Sequence, residues 1–151
     1  MKISEKSNVK APIQKVWDFL LDPHKMGSCV PGCEKVETID VNSYLVTEAV
    51  KVGPISARFD LKVTIMEMNP PSHVLVSLVG KDSKTASHFN TRATINLKSI
   101  SSNETEIDYE MEVTLGGVLG KFGEGVMRRK ADSQAETFAR NIRAALEESA
   151  K

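Results

Sequence analysis

The chain has 151 residues, 40% of them hydrophobic and 26% charged, enough for one buried core without disulfides or metals. Lys+Arg and Asp+Glu number 20 each, and a net charge of zero argues against a dedicated nucleic-acid binder, which needs a basic surplus. Two cysteines cannot build a secreted disulfide scaffold, Met1 to Ser7 contains no signal-like apolar stretch, and no uncharged apolar run reaches the length of a membrane span. The cytoplasm is the default compartment, with a peripheral contact at the inner membrane face left open.

Ile3 to Val9 alternates in polarity and reads as a short strand. Ala11-Pro12 opens a helix whose apolar face is Ile13, Val16, Trp17 and Leu20; Asp22-Pro23 stops it, because a residue before proline avoids the helical region. A short second helix or turn covers His24 to Ser28 and ends at Pro31-Gly32. From Cys33 to Gly116 the period is two. Tyr44, Val46, Glu48, Val50 and Val52 share one side of segment 44–52, and Ile55, Ala57, Phe59, Leu61, Val63 and Ile65 one side of 55–66. Segment 106–115 alternates Ile107, Tyr109, Met111, Val113 and Leu115 against polar residues. One wet and one buried face per strand means an antiparallel sheet. Turn residues at 41–43, 53–54, 69–71, 81–82 and 101–103 divide the region into six strands.

Beyond Gly117 the period returns to that of a helix. Leu119, Phe122, Val126, Met127, Ala131, Ala135, Phe138 and Ile142 form a stripe, and the proline-free run from about Val118 to Ser149 predicts one continuous helix roughly 45 Å long. Only this helix can cover the apolar face of the sheet. The expected architecture is a single α+β domain over 1–151. In it a curved antiparallel sheet of about seven strands wraps round a long C-terminal helix, with two short helices after the first strand. Such a sheet encloses more volume than one helix fills, so an apolar cavity is expected. Its lining is assigned to Phe59, Leu61, Phe89, Tyr109, Met111, Phe122, Val126 and Met127, with Met66 and Met68 as adaptable additions if they face inward. Thr85, Ser87, Thr91 and Ala93 leave space opposite the first half of the helix. Gly117, Gly120 and Gly123 are assigned as a gate where the chain leaves the last strand.

Glu48 is the odd acid on an apolar face. The favoured reading is a bulge or edge position that turns it to water; the other is a carboxyl bordering the cavity, where burial would raise its pKa. Cys29, Cys33 and His24 give too few ligands for a zinc site; two small buried side chains at a tight turn is the preferred reading, with a reversible disulfide, limited by a reducing cytoplasm, as the alternative. His73 is read as a turn residue and His88 as solvated. Gly116 to Gly123 fails the phosphate-loop spacing, and no nucleophile, base and orienting group come together. No catalytic residue, metal or cofactor is expected. Arg128-Arg129-Lys130 is read as a solvated helix face, with an acidic lipid or partner as the alternative.

Taken together, Val16-Trp17, Leu20-Leu21-Asp22-Pro23, Cys29-Val30-Pro31-Gly32-Cys33, Val52-Gly53-Pro54-Ile55 and Gly116 to Gly123 resemble the CoxG family of carbon monoxide dehydrogenase subunits. That family lies in the START and birch-pollen-allergen-like (SRPBCC) helix-grip superfamily, and the likeness runs over nearly the whole chain. The resemblance implies a helix-grip fold and a cavity for a hydrophobic small molecule, quinone-like or lipid-like. It also implies an accessory, non-catalytic association with an aerobic molybdenum-type carbon monoxide dehydrogenase or related hydroxylase. Many members continue past the long helix into a linker and a membrane-binding tail. Here the sequence reads Glu147-Glu148-Ser149-Ala150-Lys151, and no tail-borne anchor is expected. Two rival readings are a cavity enzyme of the aromatase/cyclase type using Tyr109 and Glu48, and an assembly adaptor with a filled core.

Overall fold

The structure, a computed structural model, describes residues 1–82 and 84–149, the side chains of 148 and 149 excepted. The elements in chain order are β1 (Lys2–Val9), α1 (Ile13–Leu20), α2 (Pro23–Cys29), β2 (Cys33–Asp40), β3 (Ser43–Val52), β4 (Ile55–Asn69), β5 (His73–Asp82), β6 (Ser87–Ser101) and β7 (Glu104–Gly116). A 3-10 turn (Leu119–Phe122) and α3 (Glu124–Ser149) follow. The seven strands form one sheet in the order β1-β7-β6-β5-β4-β3-β2, every pair antiparallel. Strands β2 to β7 each lie beside their sequence neighbours, and only β1 crosses over, to pair with β7. This is the helix-grip arrangement that the alternation and the final stripe predict.

Helix α1 buries Val16, Trp17 and Leu20, the face set by its spacing. Asp22 does double duty. Besides ending α1 it caps α2, its carboxylate accepting from the backbone N–H groups of His24 (3.0 Å) and Lys25 (3.1 Å), with Pro23 in the first helical turn. Helix α3 packs against β1, α1 and α2, and Asn141 Nδ2 donates to the Cys29 carbonyl at 3.0 Å.

Four expectations need correction. The C-terminal helix is not continuous from Val118: a 3-10 turn comes first, and Gly123, at φ +87°, breaks the path before α3 begins. That conformation suits glycine and separates the 3-10 turn from α3. At 26 residues α3 is roughly 39 Å long, not 45. Met66 is the extra residue of a bulge between Ile65 and Glu67, and both it and Met68 are exposed, so neither lines the interior. Asp82 belongs to β5, and the break comes after it; Asp82 accepts from Lys84 N (3.1 Å) and Thr85 Oγ1 (2.9 Å), which organises the turn. His73 opens β5 rather than sitting in a turn, its ring between Asn96 Oδ1 (2.8 Å) and Glu67 Oε1 (3.2 Å).

The core divides along the helix. At the distal end Val9, Ala11, Val16, Trp17, Leu20, Cys29, Val74, Leu97, Ile107, Ile142 and Leu146 pack into one cluster. At the proximal end, where β4 begins and the 3-10 turn sits, Val52, Ala57, Phe59, Leu61, Leu119 and Met127 are buried, with Val46, Val50, Phe89, Phe122 and Val126 half-buried around them. Ile3, Tyr109, Val113 and Ala135 lie between.

Candidate functional site

Directly opposed residues of an antiparallel pair share a face. Phe59 and Leu61 are each 2% exposed, and they oppose Glu48 and Val46 in an unbroken register. Glu48 therefore points to the concave side, and the favoured reading that a bulge turns it to water is wrong. There is a bulge nearby, but it lies in β2, between Cys33 and Lys35, so its extra residue is Glu34. Burial pushes the Glu48 carboxyl from its ordinary 4.5 up to about 7, against a smaller opposing pull from Lys130 of α3. Near neutral pH it can donate a hydrogen bond when protonated and accept one when ionised. On its other flank is Cys33, whose thiol is raised first by burial, with Glu48 adding to the rise.

The assigned lining residues fall into two adjoining groups. Phe59, Leu61, Phe89, Phe122, Val126 and Met127 meet in the proximal cluster, with the Phe59 and Phe89 rings tilted at 5.9 Å between centroids. Tyr109 and Met111 belong to the middle cluster, Tyr109 edge-on to Phe138 at 6.2 Å. Phe89 touches both groups. Burial raises the Tyr109 hydroxyl, with Glu5 and Asp132 adding to the shift, so it holds its proton as a donor.

The three gate glycines differ. A Cβ on Gly117, at φ +80°, would run into the Ala86 backbone, and one on Gly120 would come to 2.6 Å from the Leu115 carbonyl. Both are places of close chain approach. Gly123 has open space around it. His88 is exposed, as read, with its ring over Gly116, where a side chain would collide with it. The basic run diverges: Arg128 donates to the Lys2 carbonyl (3.0 Å), Lys130 acts on Glu48, and Arg129 is exposed. Cys29 is buried and Cys33 half-buried, both as free thiols.

One polar residue of the concave face escaped notice as a site. Thr91 is 1% exposed, and its Oγ1 is the buried side-chain polar atom that lacks a hydrogen-bond partner among the described residues. An unmet buried hydroxyl costs about 1–3 kcal/mol. Alternation placed Thr91 inward, but nothing in the sequence marked it as unpartnered. Two open hollows on the surface lie elsewhere, around Pro12 and Lys15 at the start of α1, and contain none of the assigned lining residues. Among the described residues no group of three or more His, Cys, Asp or Glu is placed to hold a metal, and no helix is long and apolar enough to cross a membrane.

Solved structures share this fold across the whole chain. A conserved protein from Geobacillus kaustophilus has a TM-score of 0.89 at 20% identity, covering 99% of this chain and 97% of that one. The Zhui aromatase/cyclase from Streptomyces sp. R1128 has a TM-score of 0.77 at 12% identity, covering 100% and 96%. A START superfamily protein from Mycobacterium smegmatis has 0.71 at 10% identity, covering 97% of each. No curated protein matches the chain. At these identities the likeness establishes the fold and not the activity. The lineage comes from the sequence itself: the family model for the CoxG subunits of carbon monoxide dehydrogenase matches residues 6–147, and the chain belongs to that family.

Proposed function

We propose that the protein is a non-catalytic accessory that holds an apolar small molecule, quinone-like or lipid-like, inside the grip. It serves a molybdenum-type carbon monoxide dehydrogenase or a related hydroxylase. The observation that carries this reading is Glu48 on the concave face opposite Phe59, a carboxyl poised near neutrality in a mostly apolar wall. Ligand sites are mostly apolar with a few placed polar groups. Phe59, Leu61, Phe89, Phe122, Val126 and Met127 supply the apolar lining, Tyr109 and Met111 extend it, and Glu48 supplies the polar contact. The ligand passes beside Gly117, Gly120 and Gly123, where Gly123 has free space. In this reading the protein works in the cytoplasm, at the inner membrane face where its ligand is membrane-resident.

Val126 is half-buried at the start of α3, so Val126→Trp fills space beside Phe122 with little strain on the distal core. Titrated with a short-chain quinone and a fatty-acid panel, wild type is expected to bind and Val126→Trp to bind at least tenfold more weakly with its fold intact. Calorimetry and circular dichroism read the two quantities. Equal affinity in both proteins, or no binding by wild type to any of the panel, rejects the reading.

A further inference from the structure

Rows of opposed residues cross the sheet, and one reads Tyr44, Val63, Leu78, Thr91, Val113. Thr91 sits in it between two apolar side chains, facing the side that α3 covers. Other buried hydroxyls on this face have structural duties. Ser87 Oγ accepts from the Leu119 backbone N–H at 3.2 Å and pins the 3-10 turn; Thr105 Oγ1 donates to the Ala11 carbonyl at 2.8 Å and ties β7 to the start of α1. Thr91 Oγ1 has no such duty. A valine has the same shape and would fill the position without an unmet polar atom, and buried hydroxyls in folded proteins are otherwise almost always partnered. The neighbouring side chains are small. Ala93 is the next inward residue on β6, and Ala131 and Ala135 are the α3 residues of the adjacent cluster.

We infer that Thr91 is a specificity-determining residue of the interior: its hydroxyl hydrogen-bonds an oxygen of the enclosed apolar molecule and so selects oxygen-bearing ligands over plain hydrocarbons. The inference rests on the ligand-binding reading above and adds the chemical class that the wall selects. The hydroxyl donates to a ligand carbonyl or accepts from a ligand hydroxyl, and both interactions complete the pairing that the protein leaves open.

The test compares wild type, Thr91→Val and Thr91→Ser with naphthol and naphthalene, fluorescent probes of one skeleton that differ in a single oxygen. Wild type is expected to bind naphthol more tightly than naphthalene. Thr91→Val should weaken naphthol by about tenfold, the worth of one hydrogen bond, and leave naphthalene within twofold. Thr91→Ser should keep most of the naphthol affinity. Without ligand, Thr91→Val should melt at a higher temperature than wild type, so its loss of binding cannot be a loss of fold. Equal loss for both probes, or no loss for either, overturns the assignment and leaves the site itself standing; the second result is the one a buried water on Thr91 produces. Wild type that binds neither probe rejects the ligand-binding reading, and this assignment falls with it.

Discussion

The two ends of the grip are built from the same strands and the same helix, yet they are filled differently. At the distal end α1 and α2 close over the sheet, and Val9, Val16 and Leu146 lose all contact with solvent. At the proximal end no helix pair closes the sheet. A 3-10 turn and a glycine-broken helix start cover it instead, and Val46, Val50, Phe89, Phe122 and Val126 remain half-buried. Full burial of apolar side chains contributes most of a domain's stability, and partial burial leaves surface that a ligand can still cover. The difference makes the distal end the main source of stability and the proximal end the place for the proposed ligand.

The largest expected effect tests that division directly. Trp17→Ala removes a side chain 6% exposed in the distal cluster and should cost about 3–5 kcal/mol. Phe122→Ala, at the half-buried proximal end, should cost roughly 1–2 kcal/mol while weakening ligand binding. Urea unfolding of both variants measures the contrast, and equal losses would erase the distinction.

A second test uses pH. The folded pKa of Glu48, about 7, lies above its ordinary 4.5, so between these values the folded state binds the extra proton. Stability from this group is full below about pH 4.5, falls as the pH rises to about 7, and is flat beyond. The change is on the order of 2 kcal/mol after allowance for partial exposure. Glu48→Gln should remove this slope, and the difference between the two stability profiles isolates it. A slope unchanged by Glu48→Gln would mean that the carboxyl is solvated and the proximal wall wet.

The smallest effect is a control. Val41, 89% exposed at the tip of the β2–β3 hairpin, touches neither cluster, and Val41→Ser should move stability by less than about 0.5 kcal/mol and binding not at all. A measurable loss of binding would show that the site extends to the hairpin tip.

Period and punctuation in the sequence determined the strand faces, the two short helices and the final amphipathic stripe. Alternation such as Ala57, Phe59, Leu61, Val63 leaves only one face for burial, and Gly-Pro or Asn-Pro-Pro breaks leave only one place to turn. The same parity placed Thr91 on the inner side and Glu48 among apolar neighbours, but an acid there was read as turned to water, and only the register with Phe59 showed that it is not. What only the tertiary structure decided depends on neighbours. The one-residue offset of a bulge exists only between two strands, so its location at Glu34 in β2 and at Met66 in β4, and not at Glu48, had no local signal. Likewise a helix stripe continues straight through Gly123, whereas in the fold the 3-10 turn packs against β7 and the chain breaks at Gly123 before α3. Whether a buried hydroxyl is satisfied depends on what lies above it. Ser87 meets the Leu119 N–H and Thr91 meets no partner among the described residues, although they occupy the same face of the same strand, four residues apart.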